Sequence, residues 1–402
     1  MTMGFIVLAT AERRRRLMQR KLFSWLMFSV CCLVVPLPVR GQSTFSGPSQ
    51  TNFCKPHNIR ETVVYIDETI LIADQAGWAL SIYDKLHGTL VPGERVTLVE
   101  LSPQTGQHTD VWEGCWPDYT EEERAKIAQQ TYLFSQNPLD ALKEQQGIFV
   151  RGFGVGAEKI QKKGERQVSA VTIDPANPPQ KSILRALASD GARYSQSDSG
   201  TIRVILYSDL AENSDLGSVF KGPPAQETPY GSMLGTYLTH SVFYAFGVGN
   251  DVRGGGKVLD DTRAFWNHAI RSMAGTVNGL GSDLSVPNIR PVKSWIYNVS
   301  LIDNGQSLVG RLSLLTDKGG TLVDSQIGIV RLHNASLNGF FRCKSGGASS
   351  CSLQADTVGG VITESPSEKL TLASHDSTTI TGTIGVLGSS ATLPITATPA
   401  EE

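Results

Sequence analysis

Short apolar runs that stop abruptly at polar residues mark the first two thirds of the chain. The clearest are residues 62–71 (TVVYIDETIL) and 201–209 (TIRVILYSD), which are β-branched and apolar until they reach Asp67 and Ser208. A strand buried on both faces reads as such a continuous run, the habit of parallel sheets, whereas a half-exposed strand alternates. Ile72, Ala76, Leu80, Tyr83 and Leu86 recur at helical spacing, and residues 95–101 (RVTLVEL) form another buried run. Strand, helix and strand within about 40 residues predict a right-handed βαβ unit.

The next stretch is less regular. Residues 110–116 predict a short antiparallel edge strand, and Thr120 with Glu123 three positions on is a capping box that opens a helix to about residue 135. Asn137-Pro138 interrupts, and a second helix is expected from Leu139 to about Gln146. Beyond it, Gly152 to Ala157 fits G-x-G-x-x-A on paper, but the apolar run before it is only IFV. A dinucleotide fingerprint needs a true strand there, so this segment reads as a flexible loop. Part of 104–165 is expected to be an insertion over the sheet. Ser182 then caps a helix (SILRALASDGARY), strands follow at 201–208 and 239–248, and a helix at 259–274. Alternation of this kind over residues 60–285 predicts an α/β domain with a doubly wound, mostly parallel sheet.

From Trp295 onward the period changes to short alternating runs separated by DNGQ, DKGGT and LNG turns. That spacing predicts an all-β sandwich over residues 291–402.

Composition changes the picture at one end. Residues 1–42 hold seven Lys/Arg and one acid, which leaves 29 basic and 37 acidic residues in the remainder, a net of −8. Arg13 to Arg16, Arg20 and Lys21 precede an apolar run (LFSWLMFSVCCLVVPL) and then PVRGQ, the order of a secretory signal peptide cleaved after about Gly41. An uncleaved anchor is the alternative, and the membrane is met only through that segment. Residues 43–59 read as a polar tether. The mature chain is expected in the periplasm, at the cell surface or secreted. Its acidic balance argues against nucleic acid, whose phosphates call for clustered positive charge. Four cysteines remain after cleavage, an even number in an exported chain, which points to disulfides. Cys343 and Cys351 bracket a seven-residue flexible loop and pair with each other, leaving Cys54 for Cys115.

The candidate chemistry sits where the two leading strands end. If they are neighbours, Asp67, Thr69 and Asp209 converge at the carboxyl edge of the sheet, where open α/β folds bind ligands. Carboxylates and hydroxyls make an oxygen-rich set suited to a hard divalent cation such as Mg²⁺. Glu68 and Glu212 flank it. The seven histidines form no ligand spacing, and no G-x-S-x-G elbow is present.

These residues resemble a family, the von Willebrand factor A domain. Its ion-dependent adhesion site uses an Asp-x-Ser-x-Ser loop after strand one, a Thr from a later loop and an Asp after strand four. Asp67-Glu68-Thr69 matches the first half of that loop, with Thr for Ser, while Leu71 stands at the second Ser with no oxygen to offer. Asp209 matches the later Asp, and Ser182 stands in for the Thr. The resemblance implies an A-type α/β fold with a degenerate metal site at Asp67, Thr69, Ser182 and Asp209. It also implies a non-catalytic binding or assembly protein that recognises a protein ligand at the crevice. The alternatives are an exported metal-assisted enzyme using the same carboxylates, or a structural scaffold that has lost the site.

Overall fold

The computed structural model describes residues 53–400 apart from 55–58, 72–76, 131–136, 165–177, 198, 223–227, 249–254, 304, 330–333, 344–350, 359–368, 375–378 and 386–391. The expected signal segment, most of the tether and the 344–350 loop lie outside the described residues.

The first half is built on a six-stranded sheet. Its strands are β1 (Glu61–Asp67), β2 (Arg95–Ser102), β3 (Gln107–Cys115), β4 (Ile202–Tyr207), β7 (Ser241–Phe246) and β8 (Thr276–Leu280), in the order β3-β2-β1-β4-β7-β8. A separate two-stranded ribbon of β5 (Asn213–Ser214) and β6 (Gly217–Ser218) follows β4. All neighbours in the main sheet are parallel except the edge strand β3, which runs antiparallel to β2. Every residue of β1 is buried, as its unbroken apolar run requires. Val63 and Tyr65 pack on one face with Ile183, Leu187, Trp266 and Ile270, and Val64 and Ile66 on the other with Trp78, Ile82, Phe149 and Ile160.

The helices supply those two layers. On one side lie α1 (Gly77–His87) and α3 (Pro138–Gly164); on the other lie α4 (Ile183–Ala188) and α7 (Gly255–Ser272). The remaining helices, α2 (Glu121–Ala128), α5 (Gly191–Gln196) and α6 (Tyr230–Leu234), are short. Thr120 and Glu123 form the predicted capping box at the start of α2.

Residues 147–164 correct the loop expectation. They belong to α3, a helix of 27 residues that runs straight through Gly152, Gly154 and Gly156. Gly152 and Gly156 serve packing, while Gly154 faces open space. A Cβ on Gly152 would come within 2.5 Å of Trp112 Nε1, and one on Gly156 within 2.9 Å of Trp112 Cβ. Trp112 of β3 lies edge-on to Phe149 and Phe153, so the glycines let the helix close on an indole.

The second half holds β9 (Lys293–Asp303), β10 (Gln306–Thr316), β11 (Ser325–Ile329), β12 (Ala335–Cys343), β13 (Cys351–Val358), β14 (Lys369–Ser374), β15 (Ile380–Gly385) and β16 (Thr392–Pro399). Each strand pairs antiparallel with the next, and β16 pairs back onto β9 from Ile395↔Leu301 to Pro399↔Tyr297. The ring is a closed barrel, which replaces the expected sandwich. Alternation shows only that each strand has one buried face, and both architectures satisfy that. Pairing of the last strand with the first decides between them, and it removes the exposed edges. Leu312, Leu314, Phe341, Leu353, Leu370 and Leu372 fill the interior.

Both expected disulfides are present, with Cα–Cα separations of 5.1 Å for Cys54–Cys115 and 4.0 Å for Cys343–Cys351. Among the described residues no helix is long and apolar enough to cross a membrane.

A buried polar network joins the barrel to the amino edge of the sheet. Arg60 donates to Asp324 Oδ2 of the barrel at 2.6 Å, to Thr89 O at 2.7 Å and to both oxygens of Glu94 at 3.0 and 3.1 Å. Arg203 donates to Thr62, Thr89 and the same Glu94, and Tyr244 donates to Asp324 Oδ1 at 2.6 Å. Arg60, Glu94 and Arg203 are fully buried and Asp324 nearly so, and two cations balance two carboxylates. Burial alone would raise the Glu94 carboxyl, but Arg60 and Arg203 overcome it and hold it below its ordinary value. Asp324 adopts a left-handed φ of 47°, a conformation Asp tolerates better than most side chains.

Candidate functional site

At the opposite, carboxyl edge, the sheet reverses its winding between β1 and β4: β2 continues one way from β1 and β4 the other. Such a switch point leaves a crevice outside the strand ends. The register pairs Ile66 with Tyr207, so Asp67 and Ser208 emerge side by side. Ser208 donates its hydroxyl to Asp67 Oδ2 at 2.7 Å. Thr69 folds back in a tight turn, and both its backbone N–H and its hydroxyl donate to Asp67 Oδ1, at 3.0 and 2.6 Å.

Asp67 and Asp209 converge, and a lysine lies between them. Lys181 Nζ is 2.8 Å from Asp67 Oδ2 and 2.6 Å from Asp209 Oδ1. Asp209 Oδ1 also accepts from Ala211 N at 2.9 Å. The three charged side chains are 5% exposed or less, which puts the whole triad out of reach of solvent. Burial by itself would lower the lysine's pKa. The carboxylates of Asp209 and Asp67 outweigh that and hold the ammonium charged well beyond its usual range.

The residues expected to bind a divalent ion do not fit one as they stand. Both oxygens of Asp67 already accept hydrogen bonds, and an ammonium takes the central position. Leu71, 1% exposed, packs into the apolar layer under α3, so the fifth position of the loop faces core. Ser182 is buried, and its backbone N–H donates to Pro103 O at 3.0 Å. Its hydroxyl makes no capping bond to α4.

Glu212 does the capping instead. It accepts from Leu184 N at 3.0 Å and from the Ser214 hydroxyl at 2.6 Å. Burial pushes its carboxyl up to about 7 against those hydrogen bonds. Glu68, also buried, lies beside Glu100, and Lys163 forms ion pairs with both. Burial and the neighbouring carboxyl raise the Glu68 pKa.

Sequence reading missed a second cluster. His108, Asp110 and Asp190 bring ligand-type atoms within 4.8 Å of one another. His108 Nδ1 lies 2.7 Å from Ser189 Oγ, and its Nε2 is 3.4 Å from Asp190 Oδ1. Here too a side-chain cation is in place: Arg193 donates to Asp190 and to Asp110, both at 2.7 Å. Residues 81 positions apart meet because β3 and the turn between α4 and α5 share one sheet edge, which no local spacing encodes.

A third feature is a cleft of about 1130 Å³ where the barrel meets the α/β half. Trp295, Phe341 and Val292 give it apolar walls; Arg124, Arg290, Lys293, Lys318 and Arg342 bring positive charge and outnumber the acids Glu121, Glu122 and Asp317. Asp118, 4% exposed, anchors Arg124 and Arg290, and Lys318 pairs with Glu121.

Compared with protein-family models and with curated proteins, the chain matches none.

Proposed function

We propose that this is an exported, non-catalytic binding or assembly protein, an A-type α/β half and a barrel held as one rigid platform that captures a protein partner without a metal ion. The observation that carries this reading is the closed triad of Lys181, Asp67 and Asp209. Carboxylates buried against an internal ammonium are neither open to a partner nor free to act as acid or base. This favours the scaffold form of the reading over metal-mediated adhesion, and it takes from a metal-assisted enzyme the groups it would use. Export accords with the two disulfides, which persist in oxidising compartments.

Partner contact then falls elsewhere, and the junction cleft is the best-shaped surface. Its apolar walls and basic side chains, in a mature chain of net −8, suit a protein segment carrying both acidic and apolar side chains. Crosslinking and affinity capture on the mature chain, with Mg²⁺ or with chelator, test this. Equal capture in both, lost on Lys293→Glu with Arg342→Glu, is the expected result. Capture abolished by chelator, or untouched by the charge reversals, overturns it.

A further inference from the structure

We infer that Lys181 is a tethered cation standing where the family resemblance implies a divalent ion, and that removing its side chain turns the crevice into a metal site. Three chain segments meet at its ammonium: the end of β1 through Asp67, the end of β4 through Asp209, and the stretch before α4 that carries the lysine itself. The backbone is fixed as well. Lys181 N–H donates to Asn213 O and Asn213 N–H to Lys181 O, both at 2.9 Å, so the side chain enters the crevice from an anchored position.

The charge count points the same way. Two carboxylates face one ammonium, which leaves the triad with one uncompensated negative charge; a divalent ion in the ammonium's place would cancel it. Asp67 and Asp209 are held in place by Ser208, Thr69 and the Ala211 N–H, none of which depends on the lysine. The oxygens are therefore positioned before any ion arrives. A hard cation binds oxygen at 2.0–2.6 Å, inside the 2.6 and 2.8 Å that the ammonium keeps. Truncating the lysine vacates its four-carbon stem, room for the waters a six-coordinate ion retains. Lys181 has this role wherever a partner docks, so it stands or falls apart from the binding reading.

The experiment is Lys181→Ser in the full mature chain, probed with Mn²⁺. Without ion, the variant should melt about 5–10 °C below wild type, because two buried carboxylates lose their counter-charge. Millimolar Mn²⁺ should restore at least half of that, and loss of the free-ion electron paramagnetic resonance signal should report one site of submillimolar Kd. Adding Asp67→Asn should weaken that site at least tenfold. Should Lys181→Ser not fold alone, refolding in Mn²⁺ gives the reading: recovery of the native far-ultraviolet spectrum supports the inference. A folded variant that takes up no Mn²⁺, or failure to refold with the ion, overturns it.

Discussion

Arg60 and Asp324 are 264 positions apart in the chain and meet at 2.6 Å in the interior. One belongs to the lead-in of the first strand of the sheet, the other to the turn before β11 of the barrel. Their contact, with Glu94 and Arg203 closing the charge balance, makes the junction a buried surface rather than a hinge. The carboxyl edge of the sheet is left at the far end.

Breaking that pair from one side should therefore cost far more than an exposed ion pair. Asp324→Ala leaves Arg60 buried beside a single shared carboxylate, and a loss of about 3–5 kcal/mol is expected. Urea unfolding of the single and double variants with Arg60→Met checks it. A coupling energy near zero would show the contact to be incidental.

Glu212 sets a pH dependence with a definite sign. Its folded pKa is raised to about 7 from an ordinary 4.5, so between those values the folded state keeps a proton that the unfolded chain has released. Stability should fall as pH rises through that window, by up to about 3 kcal/mol. Glu212→Gln should flatten this part of the profile in thermal melts.

His240 acts oppositely. Burial and Arg311, whose Nη1 lies 3.2 Å from its Nε2, lower it to about 4. The unfolded chain takes up the proton first, so stability is lost as pH falls from about 6.5 towards 4. His240→Asn should remove that loss while tolerating the left-handed φ of 61°.

The glycines of α3 make a paired prediction. Gly154→Ala meets nothing within 4 Å and should stabilise by about 0.5–1 kcal/mol through helix propensity alone. Gly152→Ala gains the same propensity but drives a methyl into Trp112, so it should destabilise. Chemical denaturation of the two variants separates a packing helix from a loop, since in a flexible loop neither change would matter.

The strands of the sheet were legible because burial on both faces writes itself as unbroken apolar runs, as in β1 and β4. The meeting of Asp67 with Asp209 followed from where those runs end. Lys181 was not legible. A buried lysine carries no periodic signature, and it lies next to Ser182, whose hydroxyl looked like the natural ligand. Barrel closure was hidden for a related reason: the pairing of β16 with β9 joins the two ends of the domain, while alternation reports only local faces. The helical stretch from Gly152 to Gly156 was not legible because Gly152 and Gly156 answer to Trp112 on β3, not to their own neighbours.

The central claim is that the crevice already contains its cation. Isothermal titration of Mn²⁺ into unsubstituted residues 43–402 tests it most directly. No saturable heat up to several millimolar is expected; one-to-one binding that Asp209→Asn abolishes would contradict the account.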